Sequence, residues 1–372
     1  MKANGIRVVL GAALAMVLIA PASFAQYVRT DLASNRPGAA PSTDQQHLIN
    51  SWGLTALPTS PFWLSDNGSG FSTLYSGTGV QSPLLVSIPP APGSPAGTLG
   101  TPTGTVGNIG LNKTDFVVTE NGKSAKSLFI FATLDGTISA WNPAVDGIVP
   151  DPATGNLLTH ATTVVPQGPH ANTSYTGLAI ATNDRGETFL FAADGGPNRD
   201  IDVFGSDFSY KTSLSDPAIP KEFTTYGIQA IDGQIWVTFT PLNKALGGFV
   251  DVFGFSDNSA SGFTLLRHNA LHGPLHSPWG IAKAPADFGP MSGAILISNN
   301  TAKGQILAFN PESGQFLGEL RDANGKAIEI DGVWALQFGQ DGGPNGTHNQ
   351  LFFTGGANGY ADGIFGMITV GQ

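Results

Sequence analysis

The 372-residue chain contains no cysteine, and only 12% of its residues are charged. Without cysteine there is no disulfide, no thiolate ligand for zinc and no thiol nucleophile, so stability has to come from buried area. Basic charge is also scarce: 17 Lys and Arg stand against 27 Asp and Glu, a formal net charge of −10. Such a surface lacks the clustered cations that neutralise phosphate, which argues against nucleic acid or anionic lipid as a partner. Past the first 25 residues there is no apolar run long enough to span a bilayer, and no long amphipathic helical pattern. What is plentiful is glycine, 49 residues, with 26 prolines. That is the composition of many short strands joined by tight turns.

Residues 1–25 read as a signal peptide. Lys2 and Arg7 give a positive start, Val8 to Ala20 an apolar stretch, and Ser23-Phe24-Ala25 a small-x-small cleavage site. The other reading of the same stretch is an N-terminal membrane anchor. With the signal peptide, the mature chain is expected to be secreted or periplasmic, with no membrane span.

Along the rest, one short pattern recurs: a small or aromatic residue and usually a glycine open an apolar strand. It reads SWGL at Ser51, PTGTV at Pro102, YTGLAI at Tyr175, TYGIQ at Thr225, SPWGIA at Ser277 and GVWALQF at Gly332. Gly53, Gly104, Gly177, Gly227, Gly280 and Ala335 are then equivalent, with steps of 51, 73, 50, 53 and 55 residues. Those steps lie near the length of a four-stranded propeller blade, a unit that cannot bury its own faces and must stack on neighbours. The expected fold is all-β: a single six-bladed β-propeller over 26–372, with blades near 50–88, 101–166, 174–215, 224–268, 276–321 and 331–372. The last unit lacks a fourth strand. Tyr27 to Leu32 has strand-like alternation and is expected to supply it, pairing with Gly366 to Val370; the alternative is a disordered arm. Second strands such as Phe129-Ile130-Phe131 and Leu351-Phe352-Phe353 are apolar on both faces, as strands sandwiched between blades should be. The excess of the 73-residue step, Val145 to Ser174, is expected on or beside one face of the ring, where function often sits.

The segments YVRTDLAS, SWGL, PTSPFWLSDNGSGFSTLYSGTG, LFIFATLDGTISAWNP, YTGLAIAT, SPWGIAKAPADFG and DGVWALQFG together resemble an uncharacterised family of secreted bacterial propeller-type proteins. Some members carry a PEP-CTERM sorting tail; this chain ends GMITVGQ without one. By architecture the broader relatives are propellers with NHL-like repeats and lactonase-type six-bladed propellers. The latter resemblance implies a divalent ion at the channel mouth, for which Asp331 is a candidate ligand.

Two groups of residues are candidates for the site. Preceding the opening glycine, or nearly so, stand Trp52, Tyr226, Trp279 and Trp334, which either pack between blades or form an aromatic mouth that stacks on an apolar ligand or a sugar. His47, His170 and His276 precede the inner strands of alternate blades, so three imidazoles converge on one mouth if their loops turn inward. That set would suit one divalent ion such as Zn²⁺ or Cu²⁺. The expected function is a monomeric binding scaffold using the channel-mouth face, with a small molecule, a saccharide or a protein as partner. The alternative is a metal-assisted, lactonase-like hydrolase or lyase at the same mouth. No phosphate loop, nucleophile elbow or zincin motif is present.

Overall fold

A computed structural model describes residues 1, 26–243 and 246–371. Residues 2–25, where most of the expected signal peptide falls, lie outside the described residues. The chain is an all-β β-propeller. Its sheets, in chain order and from the innermost strand outward, begin with Ser51–Thr55, Phe62–Asp66, the split strand Phe71–Ser72 and Leu74–Tyr75, and Leu84–Ser87. The second holds Pro102–Gly107, Phe129–Thr133, Ile138–Trp141 and Thr162–Val165; the third Tyr175–Thr182, Thr188–Asp194, Ile201–Phe204 and Tyr210–Leu214. The fourth holds Phe223–Ile231, Gln234–Pro241, Phe249–Phe255 and Phe263–Arg267; the fifth Pro278–Lys283, Ile295–Asn299, Ile306–Phe309 and Phe316–Glu319. The last runs Val333–Phe338, Leu351–Gly355 and Ile364–Val370, and then Tyr27–Ser34 lies antiparallel to Ile364–Val370, with Tyr27 opposite Val370 and Asp31 opposite Gly366. Each innermost strand lies beside the next, and Val333–Phe338 lies beside Ser51–Thr55. No described helix is long and apolar enough to cross a membrane.

The recurrent glycine has a steric cause. A Cβ on Gly53 would meet the Thr103 carbonyl oxygen, on Gly104 the Leu178 nitrogen, on Gly227 the Trp279 carbonyl oxygen and on Gly280 the Trp334 carbonyl oxygen, each inside 3.0 Å. Inner strands of neighbouring sheets therefore approach backbone to backbone, which only glycine allows. At the same place each inner strand slips register against its partner, for example between Thr225 and Ile228 and between Pro278 and Ile281. A bulge of this kind leaves a backbone N–H out of the ladder. In the last three sheets a hydroxyl from the second strand accepts it: Gly227 N donates to Thr238 Oγ1 at 2.8 Å, Gly280 N to Ser298 Oγ at 2.7 Å and Ala335 N to Thr354 Oγ1 at 3.1 Å. Two of these hydroxyls also donate across to the next sheet, Ser298 Oγ to the Trp334 carbonyl at 2.7 Å and Thr354 Oγ1 to the Trp52 carbonyl at 2.8 Å.

The doubly apolar second strands are buried throughout. Phe352 is fully buried, and its ring lies 4.4 Å from Phe62 of the first sheet and 5.8 Å from Phe365. The long interval between Gly104 and Gly177 departs from expectation. Val117–Glu120 and Lys123–Lys126 form a separate hairpin, while Val149–Pro150 and Leu157–His160 add to the outer edge of the first sheet, Leu157–His160 running parallel to Leu84–Ser87. The insertion thus covers an outer sheet edge instead of a face, which satisfies backbone groups that would otherwise be unpaired.

Candidate functional site: the channel mouth

The four aromatics that follow the repeat converge. Trp52 and Trp334 stack with ring centroids 3.7 Å apart and planes inclined 20°, and Trp279 stands edge-on to both, at 6.2 Å and 5.7 Å. Tyr226 completes the group, 6.2 Å from Trp52 and 5.7 Å from Trp334. Such edge-to-face geometry is what aromatic quadrupoles favour. Two of the indole N–H groups are paired, Trp334 Nε1 to Asn50 Oδ1 and Trp279 Nε1 to the Thr176 carbonyl, both at 3.0 Å. That of Trp52 is buried without a partner. Further along the axis the channel narrows to a void of about 20 Å³ between Leu54, Leu178, Ile228, Ile281 and Leu336. Thr105 and Gln229 line the same void, so the waist is of mixed polarity.

Beside the cluster opens a cavity of about 420 Å³ lined by residues including Thr176, Tyr226, Leu242, His276, Asn300 and Tyr360. Among the described residues that line it there is no Asp, Glu, Lys or Arg. Burial raises the phenol pKa of Tyr226, and burial together with Asp331 raises that of Tyr360, so both hydroxyls stay protonated and able to donate at neutral pH. Tyr360 was not legible from the repeat. It is carried by a short turn after Leu351–Gly355 in which Asn358, Gly359 and Tyr360 all have positive φ, 54°, 63° and 71°. A bulky residue in that conformation is uncommon, and here three anchors hold it: Asn358 N donates to Asp331 Oδ2 at 2.8 Å, Tyr360 Oη to Asn300 Oδ1 at 2.7 Å, and the Tyr360 ring lies 5.6 Å from Trp334. Asn300 in turn donates Nδ2 to the Val333 carbonyl at 3.0 Å, fixing its amide. The sequence signal was the tripeptide Asn358-Gly359-Tyr360 directly after a second strand.

The histidines expected to converge do not form one set. His47 Nδ1 lies 3.0 Å from Asp44 Oδ1, which raises the imidazole pKa, and the ring sits edge-on to Phe71 at 4.9 Å. His170 Nε2 lies 3.0 Å from Ser213 Oγ and 3.4 Å from both Asp200 and Asp202. Only His276 lines the mouth cavity, its backbone N donating to Asn299 Oδ1 at 2.9 Å. Asp331 holds the Asn358 turn. Among the described residues, no group of three potential ligand atoms within 4.8 Å of one another includes two of these histidines or Asp331. The loops before the inner strands lean on different partners, so a common place before an inner strand does not give a common direction.

No family model matches the chain. It is 29% identical over 359 residues to the uncharacterized protein R648 of Acanthamoeba polyphaga mimivirus, covering 92% of this chain and 80% of that one. It is 26% identical over 359 residues to uncharacterized protein L690 of the same virus, covering 92% and 85%. These relatives are viral, so the expected bacterial origin does not follow from them. Among solved structures, a streptogramin B lyase aligns at 10% identity with a TM-score of 0.46, covering 93% of this chain and 97% of that one. The virginiamycin B lyase of Staphylococcus aureus aligns at 12% with a TM-score of 0.44, covering 93% and 99%. The strand order carries the assignment of the fold; these distant likenesses carry no reaction.

Proposed function

We propose that the protein is a binding propeller whose ligand occupies the mouth cavity, and that the ligand is neutral and carries hydroxyls on a flat or apolar face, as a saccharide does. The observation that carries this reading is the lining: the rings of Tyr226 and Tyr360 with hydroxyl, amide and imidazole groups around them, and no Asp, Glu, Lys or Arg among the described lining residues. Rings supply area at low entropic cost, and Asn300, Thr176 and Ser277 supply directional hydrogen bonds; about 300–1,000 Å³ is the usual size of a small-molecule site. Screening the full chain on an array of neutral glycans, followed by calorimetry, tests this. Binding that weakens at least about tenfold in Tyr360→Ala supports it, a loss equal to roughly 1.4 kcal/mol. A ligand that binds wild type and Tyr360→Ala alike would place the site elsewhere.

The same proposal includes a ring of six blades, with Tyr27–Ser34 as the strand that completes the last one. The sequential neighbours among inner strands and the register of Tyr27 against Val370 support that count. It also includes export, with removal of residues 1–25. N-terminal sequencing of the mature protein tests the second point, and a start well before Gln26 counts against it.

A further inference from the structure

The third strands of the third and fourth sheets each carry an aspartate inside an apolar run, Asp202 in Ile201–Phe204 and Asp251 in Phe249–Phe255, and both are fully buried. Burying a carboxylate in such a run is costly unless its oxygens are met. For Asp202 they are: Oδ1 accepts from Ser213 Oγ at 2.7 Å and Oδ2 from Tyr175 Oη at 2.9 Å. Asp251 differs. Its Oδ1 accepts from Asn269 N at 2.8 Å, but its Oδ2 is buried with no hydrogen-bond partner. A second carboxylate, Asp216 from the loop entering the fourth sheet, places an oxygen within 4.8 Å of an Asp251 oxygen. Asp216 Oδ2 lies 2.5 Å from His268 Nδ1, which is itself 3.5 Å from Asp251 Oδ1. The nearby arginine is turned away, with Arg267 Nη1 donating to the Pro311 carbonyl at 2.6 Å and its guanidinium 4.7 Å over the Trp236 ring. Two buried carboxylates thus face each other with no cation from Arg267 between them.

We propose that Asp216, Asp251 and His268 form a binding site for one divalent transition-metal ion. The three residues each offer a ligand atom within 4.8 Å of the others. Two carboxylates and one neutral imidazole are a donor set suited to Zn²⁺ or Mn²⁺, and a divalent charge cancels the two acids where a shared proton would cancel only one. The orphan Oδ2 of Asp251 gives the ion an otherwise unsatisfied donor. His268, with 40% of its side chain exposed, gives it a route in from solvent. The third-sheet cluster of His170, Asp200 and Asp202 is an internal control. Its geometry is similar, and Asp200 Oδ1 is also unpaired, but both oxygens of the fully buried Asp202 are already satisfied.

The test uses the full chain without a histidine tag, stripped with chelator and dialysed against Zn²⁺ and, separately, Mn²⁺, with metal counted by elemental analysis. The site predicts uptake of Zn²⁺ or Mn²⁺ that His268→Ala and Asp216→Asn each weaken about tenfold or more and that His170→Ala leaves unchanged. His268→Ala alters a side chain at the cluster's accessible edge, Asp216→Asn keeps the shape of a buried one, and circular dichroism verifies that each is folded. Affinity should fall on acidification, because protons compete with the ion for the carboxylate oxygens and the imidazole. No uptake below millimolar metal, or uptake that folded His268→Ala retains in full, overturns the proposal.

Discussion

At the channel mouth, the indoles of Trp334 and Trp279 meet neutral acceptors, and the rest of the site is packed rings. In the fourth sheet, by contrast, Asp251 and Asp216 place two acids together within an apolar surround. The first arrangement is stabilised by area and shape, so its energetics should be insensitive to pH and salt. The second is governed by charge and should respond to protons and cations. One propeller therefore holds uncharged packed rings at its inner strands and, on the third strand of the fourth sheet and the loop entering that sheet, a pair of buried acids.

Substitutions at packed positions should show the largest effects. Trp334→Ala removes a buried ring that stacks on Trp52 and should cost about 3–5 kcal/mol in chemical denaturation, with little change between low and high salt. Phe352→Ala empties the contact between the last and first sheets and should cost a similar 3–5 kcal/mol or so. A loss under about 1 kcal/mol at either position would show that the strands are not sandwiched.

Gly227→Ala tests the backbone approach that sets the repeat. The added methyl meets the Trp279 carbonyl, and the expected destabilisation is about 1–3 kcal/mol or more. Gly233→Ala, in an open turn with positive φ, should cost only about 1 kcal/mol from backbone conformation. Equal costs at the two positions would remove the steric explanation of the motif.

On the charge-governed side, buried Asp66 accepts from Thr73 N at 3.1 Å and Thr73 Oγ1 at 2.7 Å and from Ser51 Oγ, yet burial still pushes its pKa up to about 7. A carboxyl with a folded pKa above its unfolded one favours the fold fully below the ordinary carboxylate value and loses that contribution as pH rises through about 7. Asp200 and Asp251, both raised to about 6, act in the same direction. The melting temperature should therefore be higher at pH 5.5 than at pH 8, by an amount that Asp66→Asn reduces. Asp44, lowered mainly by its bond to His47 against an opposing burial cost, acts in reverse and loses its contribution as pH falls below the carboxylate range. A flat melting profile from pH 5.5 to 8 would contradict the raised values.

Much of the fold was legible because its causes repeat. The glycine within the inner strand recurs in every sheet but the last, where Ala335 stands, and the apolar second strand recurs beside it, so both stand out along the chain, and the four aromatics share that offset. What was not legible has causes outside the repeat. His47, His170 and His276 all precede inner strands but their loops lean on different partners, and Tyr360 reaches the mouth from a left-handed turn after the last sheet's second strand. Asp216 meets Asp251 and His268 across 52 residues between its ends, through a loop contact that no local pattern marks.

The proposed binding of a neutral ligand beside Tyr226 and Tyr360 is tested most directly by tryptophan fluorescence during titration with the glycan selected on the array. Trp334 lies under Tyr360, so occupancy should change indole emission with saturation at the calorimetric affinity, and Tyr360→Ala should shift that saturation at least about tenfold to higher concentration. Saturable calorimetric binding with no change in indole emission, or an unshifted curve in the variant, would contradict the account.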